Sequence, residues 1–168
     1  MRSRTTCGLL GLVSLGSLLF SAEGDAADVG QRTIKLSYGT AADHPFGLGV
    51  RKFAEIVAQK SAGKLSVRGY PAGQLGAEVP SISSAQGGVL EMAVTSTSAV
   101  VGVVKEFGLF DFPYLFANEK EADALLDGAV GTQLLEKLPE KKLIGLCYWE
   151  SGFRNITTAN VPCRSWRT

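Results

Sequence analysis

The hydrophobic and polar positions along this chain change period several times, and each change marks an element. Thr33-Ile34-Lys35-Leu36-Ser37-Tyr38 alternates apolar and polar residues, the period-two pattern of a strand. Gly39 to Pro45 is a loop rich in small residues. From Pro45 or Phe46 to Lys60, Phe46, Val50, Phe53 and Val57 recur at helical spacing and predict a helix with one apolar face. Asp43 or His44 precedes it, Pro45 suits its first turn, and Ser61-Ala62-Gly63 ends it. Leu65 to Tyr70 alternates again, and Pro71 to Gly76 is a turn-rich connection. Glu78 to Gln86 predicts a short helix closed by Gly87-Gly88, and Leu90 to Thr95 a third strand. Ser96-Thr97-Ser98 then opens a loop or helix containing Val100, Val101 and Val104.

The second half begins with its most aromatic stretch, Phe107 to Phe116, whose density of rings predicts core. Asn118 with Glu121 three residues later has the form of a capping box. The helix that follows turns Ala122, Leu125 and Leu126 inward and ends at Gly128. Val130 to Leu138 predicts a further helix burying Leu134, Leu135 and Leu138. Leu143-Ile144-Gly145-Leu146-Cys147-Tyr148 is the clearest buried strand of this half and leads into Trp149-Glu150-Ser151-Gly152-Phe153-Arg154. Strands that alternate with helices predict an α/β fold with a largely parallel sheet flanked by helices. There is no internal repeat and no low-complexity linker.

Bulk properties narrow the partners. The chain has 168 residues, about one domain, with 45% hydrophobic and 20% charged residues. A net charge of +1 without a Lys/Arg run argues against nucleic acid, which needs a concentrated cationic face. Residues 1–26 have the pattern of a secretory signal peptide: Arg2 and Arg4, an apolar stretch from Cys7 to Phe20, and small residues at Gly24 and Ala26. The expectation is a soluble, exported, periplasmic protein that is not itself embedded in the membrane. Cys147 and Cys163 would remain after cleavage. The compartment allows a disulfide, but Cys147 in an apolar strand reads as a small buried hydrophobe. No CxxC or Cys/His cluster points to a metal, and no cofactor fingerprint is present.

Enzyme chemistry has little support. The single histidine, His44, stands at a helix start, where capping is its natural role. There is no Gly-x-Ser-x-Gly elbow, no Walker loop and no dinucleotide fingerprint. Glu78 and Glu91 are isolated acids, and Glu91 beside a strand start is expected to face solvent. Ligand binding fits better. Open α/β sheets bind solutes beyond the carboxyl ends of their strands. Those ends carry Tyr38-Gly39-Thr40, then Tyr70, then Thr95-Ser96-Thr97, then Trp149-Glu150. Arg154 would reach the same edge. Its planar guanidinium matches a carboxylate in bidentate fashion. From spacing alone it is either an anion clamp or a surface residue paired with Glu150.

The order of motifs resembles the extracytoplasmic solute-binding subunits of TRAP transporters, the DctP-type proteins. The matching segments are Leu36 to Pro45; Phe53-Ala54-Glu55; Ser61-Ala62-Gly63-Lys64; Tyr70 to Gly76; Gly88-Val89-Leu90-Glu91-Met92; Asp111 to Phe116; and Trp149 to Thr157. The resemblance implies two α/β domains that close by a hinge on a small organic acid, followed by docking of the loaded protein on the permease membrane subunits. It implies that Arg154 faces the cleft, and that Glu78, Ser96, Gly39 and Thr40 fall where ligand contacts occur. Residues 27–158 would form solute-binding domain one, and 159–168 a truncated passage toward domain two. Relatives are about twice this long, the size of two domains. After Val161-Pro162 the expected segment does not follow, and Cys163 to Thr168 reads as a chain cut short by truncation or frameshift. A cleft with one wall leaves its polar groups wet, so weak or no binding by this chain is expected. The alternative is an exported interaction or sensor module that uses domain one alone.

Overall fold

A computed structural model describes residues 30–153. The signal-peptide reading, Arg154, Cys163 and the passage toward a second domain lie outside the described residues.

The first half is built as β1 Arg32–Tyr38, α1 Pro45–Lys60, β2 Leu65–Tyr70, α2 Glu78–Gln86 and β3 Met92–Val94. All pairings are parallel and the strand order is β2-β1-β3. The register sets Leu36 beside Gly69 and beside Met92, so β1 is the central strand. Its last three residues, Leu36, Ser37 and Tyr38, are all buried. A central parallel strand is covered on both faces, and the alternation shows by what. Leu36 and Tyr38 form a cluster with Val50 of α1, backed by Phe53, Val67, Met92, Val94 and Trp149. Ser37 points the other way, to Ser81 of α2. The two hydroxyls lie 3.1 Å apart, and Ser81 donates onward to the Gly76 carbonyl at 3.2 Å, so neither buried hydroxyl is left unmatched.

Local chemistry sets the element ends. His44 is the N-cap of α1, its Nδ1 accepting from the Phe46 N–H at 3.2 Å, and Pro45 follows in the first turn. Gly69 is glycine because α1 crosses β2 there. A Cβ would lie 2.8 Å from Val50 and 3.3 Å from the Tyr38 ring.

The second half holds α3 Thr97–Val100, a 3₁₀ turn Lys105–Asp111, α4 Glu119–Leu126, α5 Ala129–Leu135 and a 3₁₀ turn Pro139–Lys141. Its core is Val104, Phe107, Leu134 and Leu138. At the start of α4, Asn118 Oδ1 accepts from the Glu121 N–H, and Glu121 accepts in return from the Ala117 N–H, each at 3.1 Å. Ala122, Leu125 and Leu126 of α4 are half-buried.

Several expectations are corrected. Leu143 to Tyr148 is not a strand. Leu143 and Tyr148 pack on the second core, while Ile144 (80%) and Leu146 (64%) are exposed. Inward and outward residues alternate from Leu143 to Leu146 and the period then breaks, with Cys147 exposed and Tyr148 packed inward; a strand also needs a neighbour to complete its ladder, and no strand pairs with it among the described residues. Cys147 is exposed rather than buried. The aromatic stretch divides: Phe107 is buried and Phe110 half-buried, whereas Phe112 and Tyr114 lie open after the 3₁₀ turn. β3 is shorter than expected, because Leu90 and Glu91 precede the ladder and serve as core and anchor. Glu91 does not face solvent freely. Its carboxylate accepts from the Lys35 N–H at 3.0 Å, and Arg32 lies 3.9 Å away.

Candidate functional site

The strand order decides where a solute can sit. β1 is flanked by β2 on one side and β3 on the other, and the chain runs β1, β2, β3. It therefore leaves β1 toward one edge of the sheet and returns across β1 to the other. With both crossovers of one hand, the two connecting helices fall on opposite faces. The packing of Val50 and Ser81 on opposite faces of β1 agrees. The crevice at this switch lies beyond the carboxyl ends of β1 and β3.

Three of the expected residues meet there. Gly39 follows β1, Glu78 opens α2, and Ser96 follows β3. Glu78 stands in the first turn of α2, whose N-cap Ala77 offers no side-chain acceptor. The helix dipole favours a carboxylate at that position. Glu78 Oε2 accepts from the Ser96 N–H at 3.1 Å and also from the Ser96 hydroxyl. Ser96 is at the same time the N-cap of α3, its Oγ lying 3.3 Å from the Ala99 N–H. Both donors of the serine are thus committed, and they hold one carboxylate oxygen in place. The other oxygen, Oε1, faces Gly39: a Cβ on Gly39 would come 3.7 Å from it. Among the described residues, Oε1 accepts no hydrogen bond and no Lys or Arg nitrogen lies within ion-pair distance of Glu78.

The other expected residues surround this cluster in different ways. Tyr38 is 5% exposed, with its ring in the first core and its carbonyl accepting from the Gly73 N–H at 3.1 Å. The Thr40 carbonyl accepts from the Ala72 N–H at 2.8 Å. The loop after β1 is therefore fastened to the Pro71–Gly76 turn. The Thr40 hydroxyl is closed off from solvent and has no hydrogen-bond partner among the described residues. Trp149 is half-buried at the start of α1, its ring 6.0 Å from that of Phe46 and directly over Gly49, where a Cβ would lie 3.2 Å from Cζ3. It belongs to the same end of the sheet but packs on helix rather than standing free. Arg154 lies outside the described residues.

One anchor escaped the sequence. Asp111, at the end of its 3₁₀ turn, accepts from the Ser98 hydroxyl in α3. It ties the aromatic segment to the helix that Ser96 begins. An Asp before Phe-Pro carries no spacing signal that would have revealed it. Among the described residues no group of His, Cys, Asp and Glu could hold a metal ion, and no helix is long and apolar enough to cross a membrane.

Comparison with known proteins bears on this geometry. Residues 36–166 match the family described as bacterial extracellular solute-binding protein, family 7 (DctP). The C4-dicarboxylate-binding protein DctB of Bacillus subtilis is 36% identical over 135 residues, which are 80% of this chain and 39% of that protein. A sugar acid binding protein from Advenella mimigardefordensis, solved in complex with galactonate, is 47% identical with a TM-score of 0.76. The match covers 79% of this chain and 43% of that one. A TRAP periplasmic solute-binding protein from Ochrobactrum anthropi is 42% identical, TM-score 0.73, over 75% of this chain and 39% of that one. The chain thus spans about two fifths of the length of the relatives it matches. These relatives are solute-binding proteins, not enzymes.

Proposed function

The chain belongs to the DctP family of bacterial extracellular solute-binding proteins, and from that premise we propose that it binds a small organic acid at the crevice beyond β1 and β3, in the periplasm, on behalf of a TRAP-type permease. The observation that carries the proposal is the meeting of Gly39, Glu78 and Ser96 at the switch point of the sheet. Loops from three separate elements converge there. The carboxylate they hold keeps an acceptor free, and nothing in the core requires that. Tyr38 and Thr40 set the floor of the loop, Trp149 its flank, and Arg154 is the proposed anion clamp next along the chain. Residues 1–26 act as the export signal in this reading.

Residues 30–153 form one wall of a cleft. Ser96 is exposed and Glu78 only half-buried. Ion pairs and hydrogen bonds to a solute at such an open wall compete with water and contribute little. The 168-residue chain by itself is therefore proposed to bind organic acids at millimolar affinity or weaker. Titration calorimetry and ligand-observed NMR on the chain, purified after export, test this. Saturable millimolar binding of organic acids is expected. Submicromolar binding would overturn the one-wall argument, and the absence of binding to every acid would overturn the ligand reading. Delivery is tested by uptake: a strain lacking this gene alone should lose transport of the acid, and unchanged uptake would sink that part.

A further inference from the structure

We propose that the segment from Leu143 to Tyr148 is an open edge that pairs, antiparallel, with the same segment of a second copy of this chain. The inference goes beyond the solute site and does not depend on it. The segment is held at both ends. The Leu143 N–H donates to the Leu138 carbonyl at 3.2 Å, and the Tyr148 hydroxyl donates to the Gly131 carbonyl at 2.9 Å. Between these anchors, the backbone N–H and C=O groups of Ile144 to Cys147 make no hydrogen bond among the described residues. A row of unpaired backbone groups on a fixed segment is a template for another strand. The sequence does nothing to blunt it. Residues 143–149 read Leu-Ile-Gly-Leu-Cys-Tyr-Trp, with neither a charge nor a proline, and Ile144 and Leu146 are exposed. β2, an open edge of the sheet, is built differently. It exposes Ser66 and Arg68, and the Arg68 guanidinium lies 5.2 Å from the centre of the Tyr70 ring.

The charges that flank the segment decide which occupant fits. Lys141 and Lys142 precede it and Glu150 follows it, all three exposed. In an antiparallel pair of copies, the basic end of each segment lies beside the acidic end of the other, and the twofold axis makes this contact twice. A parallel pair would set like charges side by side. The outward side chains fix the register: Ile144 lies opposite Leu146 of the second copy, and Leu146 opposite its Ile144, with the two Gly145 residues at the axis. Lys142 then stands diagonal to Glu150 of the second copy, within reach of long side chains. The Leu143 N–H is already taken by Leu138, so the ladder falls on the next amides of the other edge, those of Ile144 and Leu146. A ladder this short buries little area and makes a weak dimer, with a dissociation constant of about 100 μM.

The test is sedimentation of the 168-residue chain, purified after export, from about 10 μM to about 1 mM, with hydrogen exchange measured at both ends of that range. Expected is a monomer–dimer equilibrium that closes at the dimer, with the Ile144 and Leu146 amides gaining protection as the dimer forms. Lys142→Glu and Glu150→Lys should each weaken the dimer by about threefold, and the two together should restore it. Association without that protection would mean contact through side chains alone and would overturn the ladder. Growth beyond the dimer, or a double reversal that fails to restore what each single one weakened, would overturn the twofold antiparallel arrangement. A chain that stays monomeric throughout would overturn the proposal outright; protected amides in that monomer would assign the edge to another segment of the same chain. The concentration series on the unaltered chain decides between these outcomes even where a variant fails to fold.

Discussion

At the residue scale, two side chains carry predictions because their satisfaction is so unequal. Thr40 encloses a hydroxyl without a partner among the described residues. A buried polar group left unmatched costs about 1–3 kcal/mol, so Thr40→Val should raise the thermal midpoint, a gain of about 1 kcal/mol if the methyl fits the hydroxyl's space. A fall in the midpoint would mean that the hydroxyl finds a partner after all. Glu91 is the opposite case. Its pKa is lowered, first by the Lys35 N–H that its carboxylate accepts and further by the charges of Lys35 and Arg32, against the opposing effect of burial. A carboxyl depressed in the folded state contributes stability above its unfolded value of about 4.3. That stability is lost as pH falls through the folded value. Glu91→Gln should therefore lower stability more at pH 7 than at acid pH. Equal destabilisation at both pH values would show that the carboxylate charge is not what matters. Glu91 was not legible as an anchor, because its acceptor role depends on which strand stands beside β3, and only the sheet order supplies that.

At the element scale, the pieces with a clear local period were legible and the apolar segment without a partner strand was not. α1 follows from the spacing of Phe46, Val50, Phe53 and Val57, and its bounds agree with the caps at His44 and Ser61. β1, β2 and α2 likewise needed only local pattern. The segment from Leu143 to Tyr148 shows the limit. It reads from the sequence as a buried apolar strand, but strand status belongs to a pair of segments rather than to one. What fixes the segment instead is contact: Tyr148 donates to the Gly131 carbonyl at 2.9 Å, and a Cβ at Gly145 would meet Leu135 at 2.4 Å and Leu138 at 2.8 Å. Gly145→Val should thus cost about 1–3 kcal/mol by overpacking against α5, read by chemical denaturation. Tyr148→Phe should cost about 1 kcal/mol, the usual value of one hydrogen bond. If both were neutral, the segment would not be docked on α5 as described. The meeting of three residues at one sheet edge was legible to the same degree as the elements. Gly39, Glu78 and Ser96 each stand just beyond a strand or at a helix start, so topology alone brings them together. That Tyr38 turns inward and Trp149 lies on α1 depends on packing, which no local pattern encodes.

At the scale of the whole molecule, the two cores meet through adjacent residues: Tyr148 packs on Phe110 and the second core, Trp149 on Phe46 and the first. Around this junction the apolar surface is not closed. Phe112 is 64% exposed and Tyr114 is 92%, with Ile144 and Leu146 also open. Scattered exposed hydrophobics are ordinary, but large ones two residues apart in each of two segments mark surface that burial elsewhere would normally cover. Apolar surface in water is relieved by association, at about 25 cal/mol per Å² covered. The 168-residue chain should therefore bind a hydrophobic dye in its folded state and self-associate as its concentration rises. Ile144→Lys with Leu146→Ser should reduce both, because these two side chains are the outward members of the alternation and touch neither core. Their removal leaves Leu143, Gly145 and Tyr148 docked, so the thermal midpoint should change by less than about 0.5 kcal/mol equivalent. A chain that stays monomeric and dye-free at high concentration would show that this surface is covered by some other part of the chain. A double variant that unfolds would show that the outward face is as structural as the inward one. Monomer recovery with unchanged acid binding would separate the two surfaces: the crevice beyond β1 and β3 for solute, and the open edge around Ile144 for protein.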